Sequence, residues 1–231
     1  MTTAERRSRE KARRQRDILQ AAREVFFTKG IHRATVDDVA TRAELSKGAI
    51  YLYFESKESI LAHLLLEGLE ILLKELQEAY AAHEHFTAEE RIRRLARAYL
   101  RFSQRHPDDF HLLMALDRGR FREKVPEELY QQLLSKSLHG LELVADAVRQ
   151  GVDEGHFIAE NPRQTAGALW AALHGVLMLM GHPLRRQMLA VELESMFEAT
   201  LELQLRGLRR EVEEQRGGGA GAGCKGTSRR A

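Results

Sequence analysis

The chain has 231 residues, 43% of them hydrophobic, with four prolines, one cysteine and a formal net charge of +2. Such a length allows one or two domains with a sizeable core, and abundant Leu, Ala, Glu and Arg with so little proline point to helices nearly throughout. The single cysteine, Cys224, excludes an internal disulfide framework. The longest apolar passage, Ala166 to Met180, is broken by Gly167, His174 and Gly175 and offers no membrane span. The polar, basic first residues are unlike a signal peptide. A soluble cytoplasmic protein is the expectation.

Charge is unevenly placed. Residues 1–60 hold 13 Lys or Arg against 9 Asp or Glu, while residues 61–215 hold 19 against 25. The tail from Arg216 adds four basic residues and no acid. A basic end joined to an acidic middle suits a module that meets phosphate attached to one that does not.

Residues 1–14 read as a basic arm, with Arg6, Arg7, Arg9, Lys11, Arg13 and Arg14 opposed by Glu5 and Glu10. Such a run is either a solvated face or an arm that neutralises backbone phosphate or enters a minor groove. Gln15 to Lys29 is a helix with Ile18, Leu19, Ala22, Val25 and Phe26 on one face. Gly30 follows it at the position where a residue of positive φ belongs.

The stretch from Thr35 to Phe54 predicts two short helices separated by a tight turn. Val36, Val39, Ala40 and Ala43 form one apolar stripe, and Thr35 with Asp38 makes a capping-box pattern. Ser46 caps the second helix, with Leu45 and Ile50 in hydrophobic-staple positions. Ile50 and Phe54 give that helix a buried edge, opposite Lys47, Gly48, Tyr51 and Tyr53. Two capped helices joined in this way form the pattern of a helix-turn-helix, against the plainer alternative of a helical hairpin.

Ser56 caps a long helix over 57–82, with Ile60, Leu64, Leu65, Leu72 and Leu76 marking its buried side. Lys57 lies in its first turn, where backbone N–H groups favour an anion. Thr87 with Glu90 opens a helix to Gln104, and Pro107 starts a shorter one. Asp117 to Pro126 reads as a charged loop, followed by a helix from Pro126 to Asp153. The last two expected helices, 164–181 and 184–208, carry apolar residues on more than one face. Each must therefore bury one face against its own domain and one against something else, for which a second chain is the simplest candidate. From Gly217 to 231 the composition is that of a disordered tail.

In this pattern the chain resembles TetR-type transcriptional regulators. The carrying residues are Gly30, Thr35, Val36, Val39, Ala40, Ala43, Ser46, Gly48, Tyr51, Tyr53, Phe54, Lys57 and Leu61. A weaker likeness lies in the stretch NPRQTAGALWAALHGVLML. Members usually have Gly in the turn where this chain has Glu44, and a non-Gly residue of positive φ is uncommon. The resemblance implies an all-α fold with a three-helix DNA-binding domain at 15–61, which shares the long helix. It further implies a larger ligand-binding and dimerisation domain at 62–210, whose last two helices pair across a two-fold. Lys47, Gly48 and Ala49 would face base edges. Thr35, Ser46, Tyr51, Tyr53 and Lys57 would hold or frame backbone phosphates without reading sequence. A two-fold protein implies a near-palindromic double-stranded operator.

The resemblance also implies a small-molecule pocket, for which Tyr99, Phe102, Phe110, Met114, Tyr130, Trp170, His174 and Met178 are the candidate lining. These are the same residue types that fill a helical core. The leading function is a ligand-responsive dimeric regulator, a repressor released from its operator by a small, largely apolar effector. A helical small-molecule binding protein without sequence-specific DNA binding is the alternative. An enzyme finds no support: the pairs His106 with His111 and His83 with His85 lack the cysteine or carboxylate partners of a zinc site. No phosphate loop, dinucleotide fingerprint or nucleophile elbow occurs, and no cofactor or metal is expected.

Overall fold

The computed structural model describes residues 2–81, 85–114 and 121–210. Its regular structure is helical among the described residues, apart from one isolated bridge between Phe157 and Arg209. The expected tail at 217–231, with Cys224, and His83 of the first linker lie outside the described residues.

Helix α1 spans Thr3–Lys29 and so absorbs the basic arm. The Thr2 hydroxyl accepts from the Glu5 N–H, and the Glu5 carboxylate accepts from the Thr2 N–H at 2.8 Å. This capping box opens a run of Ala, Arg and Lys that favours helix at every position. The arm is therefore a helical extension, exposed along its length. Gly30 ends it at φ 80, a conformation that glycine adopts at no steric cost.

Helices α2 (Val36–Arg42) and α3 (Lys47–Tyr51) fall where the caps put them. Between them, the Glu44 N–H donates to Thr41 O at 3.2 Å and the Leu45 N–H to Ala40 O at 2.9 Å. That pair of bonds is a Schellman ending, in which the residue after the cap is left-handed. Glu44 holds this place at φ 55. A side chain there costs on the order of 1–2 kcal/mol relative to Gly, so the surrounding bonds and the packed Leu45 impose the turn.

Helix α4 (Lys57–Ala81) begins with the Ser56 Oγ accepting from the Ser59 N–H at 2.9 Å. The expected capping box between Thr87 and Glu90 opens α5 (Ala88–Arg105), and α6 (Pro107–Met114) follows directly. Part of the stretch read as a charged loop is instead a short helix, α7 (Phe121–Lys124). Helices α8 (Glu127–Asp153) and α9 (Pro162–Met180) match expectation closely.

The single helix expected over 184–208 is two, α10 (Pro183–Leu189) and α11 (Leu193–Leu208), broken at Ala190 with φ 50. Alanine has no local reason to be left-handed. Beyond the break, α11 packs against α9 and α5.

Two apolar cores result. The first joins α1, α2, α3 and the N-terminal half of α4 through Ile18, Ala22, Val39, Ile50, Ile60 and Leu65, and it extends to Leu112, Val125 and Leu133. The second gathers the C-terminal half of α4 with α5, α8, α9 and α11. Helix α4 belongs to both, and Leu113 of α6 packs against both. The N-terminal core thus continues well past residue 61, the boundary read from the sequence.

Candidate DNA-binding surface and effector cavity

The α3 helix turns Ile50 fully inward and leaves Lys47, Gly48 and Tyr51 exposed. Ala49 and Tyr53 are half-buried beside them. Ser46 is occupied as the cap, its Oγ accepting from the Ala49 N–H at 3.2 Å. The Thr35 hydroxyl accepts from the Asp38 N–H and donates to the Asp38 carboxylate at 2.9 Å. Hydrogen bonds from Lys29 and then Thr35 hold the Asp38 carboxyl down at about 2. Both residues are therefore the frame that aims α3.

The Lys47 ammonium lies 2.8 Å from Asp37 of α2, whose carboxylate raises its pKa above the ordinary lysine value. Both side chains are more than half exposed. Such an exposed pair is weak and leaves the ammonium free to exchange partners.

Lys57 sits differently from its sequence expectation. Its Nζ donates to Ile31 O and Ala34 O, each at 3.0 Å, and so ties the start of α4 to the α1–α2 connection. Of three ammonium donors, at most one remains for a phosphate. Its first role is to position the motif.

The second core contains a cavity of about 410 Å3 between α4, α5, α6, α8 and α9. Of the expected lining residues, Tyr99, Met114, Trp170 and His174 border it. Four do not. Phe102 is fully buried and stacks on His106. Phe110 packs behind the Tyr99 ring with centroids 6.1 Å apart. Tyr130 lies under the Arg122 guanidinium at 4.2 Å and packs on the first core, while Met178 is exposed on the outer side of α9. The sequence pattern missed Leu69, Leu72, Leu73 and Leu76 of α4, together with Leu141 and Val144 of α8. No signal marked them, because leucine in an amphipathic stripe reads the same over a void as over a packed neighbour.

One element touches both sites. Leu113 and Met114 of α6 border the cavity, Leu112 of the same helix is buried in the N-terminal core, and Asp109 pairs with Arg23 of α1. Arg23 also reaches Glu67 of α4 at 3.1 Å. Burial alone would lower the pKa of Arg23, but its two carboxylate partners raise it.

On the outer side, Trp170 and Leu179 of α9, Leu184 and Met188 of α10, and Leu203 of α11 are exposed. A Cβ at Gly167, Gly175 or Gly207 would meet nothing within 4 Å. The inward stripe of α11 is Phe197, Leu201 and Leu205, each 0% exposed. Among the described residues no three His, Cys, Asp or Glu side chains are grouped to hold a metal ion. No single described helix is long and apolar enough to cross a membrane.

A capped helix-turn-helix aimed outward, carried on a helical body with an internal cavity, defines a DNA-binding transcriptional regulator. Residues 18–64 match the family described as bacterial regulatory proteins, tetR family, and residues 92–203 match the tetracyclin repressor-like C-terminal domain. The chain belongs to the tetR family, whose members are transcriptional regulators and not enzymes. It is similar to the HTH-type transcriptional regulator YfiR of Bacillus subtilis, at 28% identity over 67% of this chain and 73% of that protein. It is likewise similar to the HTH-type transcriptional repressor KstR2 of Rhodococcus jostii, at 26% identity over 64% of this chain and 69% of that protein. Among solved structures, the TetR family regulator PfmR of Thermus thermophilus superposes with a TM-score of 0.64 at 25% identity, covering 84% of this chain and 99% of that one.

Proposed function

We propose that this regulator is a homodimeric repressor that binds a near-palindromic operator and leaves it when a small, largely apolar effector enters the cavity. Lys47, Gly48 and Ala49 meet base edges, and Gly48 lets the backbone approach closely because it carries no side chain. Tyr51 and Tyr53 hold phosphates and set register. The basic face of α1 adds phosphate contacts only. A helix roughly 10–12 Å across does not enter a minor groove about 6 Å wide.

The observation that carries the reading is the double engagement of α6. A ligand that pushes on Leu113 and Met114 acts on the helix whose Leu112 and Asp109 seat the DNA-binding unit. Occupancy then favours a geometry in which two recognition helices no longer fit successive major grooves, and operator affinity falls by population shift. Repression is favoured by a relative named as a repressor.

The outer faces of α9, α10 and α11 supply the apolar surface that a second copy covers, including the small residues Ala168 and Ala171. On α11 the residues to weigh for this contact are Leu201, Met196 and Leu203. Leu201 is core and Met196 packs on that core, so Leu203, 69% exposed, is the better choice.

The test is gel shift on palindromic sites from flanking DNA. Lys47→Ala relaxes base preference at one position in each half-site by about 1–3 kcal/mol, and Tyr51→Phe weakens all sequences alike. Equal losses on operator and random DNA in the Lys47 variant would refute its base-reading role. The response to effector fails as a proposal if compounds that raise the melting temperature leave the shifted band unchanged.

A further inference from the structure

The effector cavity proposed above is not uniformly apolar, and its few polar groups select a ligand chemistry. The Tyr99 hydroxyl and His174 Nδ1 are 2.8 Å apart. The His174 ring lies 5.0 Å from Trp170 and 6.3 Å from Phe110, centroid to centroid. Burial pushes the Tyr99 phenol up, while a hydrogen bond from the Trp170 indole works the other way, so this tyrosine stays a neutral hydroxyl. Among the described residues, Lys136 and Ser137 are the other polar side chains on the lining, with no Arg, Asp or Glu beside them. The Lys136 ammonium is held 3.1 Å from Glu70, a largely exposed carboxylate.

From this geometry we infer that the effector is an uncharged apolar molecule bearing one hydroxyl or carbonyl oxygen, and that the Tyr99–His174 couple reads that oxygen. The couple suits either group because the His174 tautomer sets the direction of the bond while Tyr99 keeps its own proton. With Tyr99 donating to Nδ1, the phenol oxygen accepts from a ligand hydroxyl. With Nδ1 protonated and donating to Tyr99, the phenol O–H turns to a ligand carbonyl. A carboxylate has no such welcome. It would lose its water to leucine and valine walls, a cost that Lys136, partly exposed and already sharing Glu70, does not offset. The volume, about 410 Å3, admits a ligand of at least a dozen or so heavy atoms, taking ~30 Å3 as the share of one water.

This inference rests on the effector reading, and matched probes separate the two. Naphthalene, 2-naphthol and 2-naphthoate share one rigid apolar body and differ only in the head group. Binding to the full-length protein at pH 7 is measured by thermal shift and by probe fluorescence. The expected order is naphthol about tenfold tighter than naphthalene, with naphthoate weakest. Tyr99→Phe, which keeps the ring and removes the hydroxyl, brings naphthol down to the affinity of naphthalene in the same variant. Equal binding of naphthol and naphthalene by the wild-type protein, which requires no variant to fold, overturns the head-group inference and leaves the effector cavity standing. So does a naphthol preference that survives in Tyr99→Phe. Naphthoate binding as tightly as naphthol overturns the exclusion of anions. Failure of all three to bind removes the cavity as an effector site and the inference with it.

Discussion

The DNA-binding head and the helical body are held by different physics. In the head every helix start is satisfied by a neighbouring side chain: Thr2 and Glu5 at α1, Thr35 and Asp38 at α2, Ser46 at α3, Ser56 at α4. Lys57 adds two bonds to carbonyls across the motif. Its core residues Ile18, Ala22, Val39, Ile50 and Ile60 are 0% exposed. In the body, long helices meet over broad apolar faces and leave about 410 Å3 unfilled. A void forgoes dispersion contacts that a ligand can restore, so the body has free energy left for an effector to supply. The head has none to spare, because reading a groove needs fixed geometry.

The sharpest way to test that contrast is with glycines. A Cβ at Gly151 would overlap the buried Phe157 ring. Gly151→Ala should therefore cost about 3 kcal/mol in urea unfolding, the upper range for overpacking. At Gly48 the nearest heavy atom to a built Cβ is the Ser46 Oγ at 4.0 Å. Gly48→Ala should leave stability unchanged or raise it by about 0.5–1 kcal/mol, yet weaken operator binding. A Gly151→Ala protein as stable as wild type would mean that the body packs more loosely than described.

The outer face of the body gives the next effect. Leu203→Glu places a charge on an exposed apolar surface and should halve the mass seen by light scattering, with helicity kept. Leu201→Glu should unfold the body instead, since that side chain is 0% exposed. An unchanged mass for Leu203→Glu moves the interface elsewhere.

Caps offer a matched pair. Thr35→Ala and Thr87→Ala each remove the same capping box and should each cost about 1 kcal/mol by chemical denaturation. Only the first should also impair DNA binding, because α2 aims α3. Equal impairment by both would break the division between head and body.

The smallest effect is acid sensitivity. Arg209 first, and then Arg93, hold the Glu89 carboxyl down at about 2, tying the start of α5 to the end of α11. A carboxylate depressed in the folded state stabilises above its unfolded pKa of ~4.3, and that contribution is lost as pH falls toward 2. Arg209→Ala should flatten the pH dependence of stability between about 4.5 and 2, read from denaturation midpoints at successive pH values. The pair is partly exposed, and the change will be modest.

Helix starts were legible residue by residue. Thr35, Ser46, Ser56 and Thr87 each cap the helix they were expected to open, and the helix-turn-helix followed. The Thr2 cap had the same chemistry at Glu5, and the basic run beyond it obscured the signal. Legibility was poorer at the cavity. Tyr99, Met114, Trp170 and His174 line it, whereas Phe102 and Phe110 are indistinguishable in pattern and pack behind it.

What the chain determined by itself is whatever depends on bonds within a few residues: caps, the apolar stripes and the charge contrast. Tertiary structure alone decided which apolar face of α9 and α11 turned inward, where Ala190 broke the last helix, what Lys57 held, and that a space remained between α4 and α8. Hydrogen bonds at helix ends act over one turn and are written in local spacing. A leucine carries no mark of whether it will meet a neighbour, a second subunit or an empty volume, because burial is a property of the whole assembly of helices.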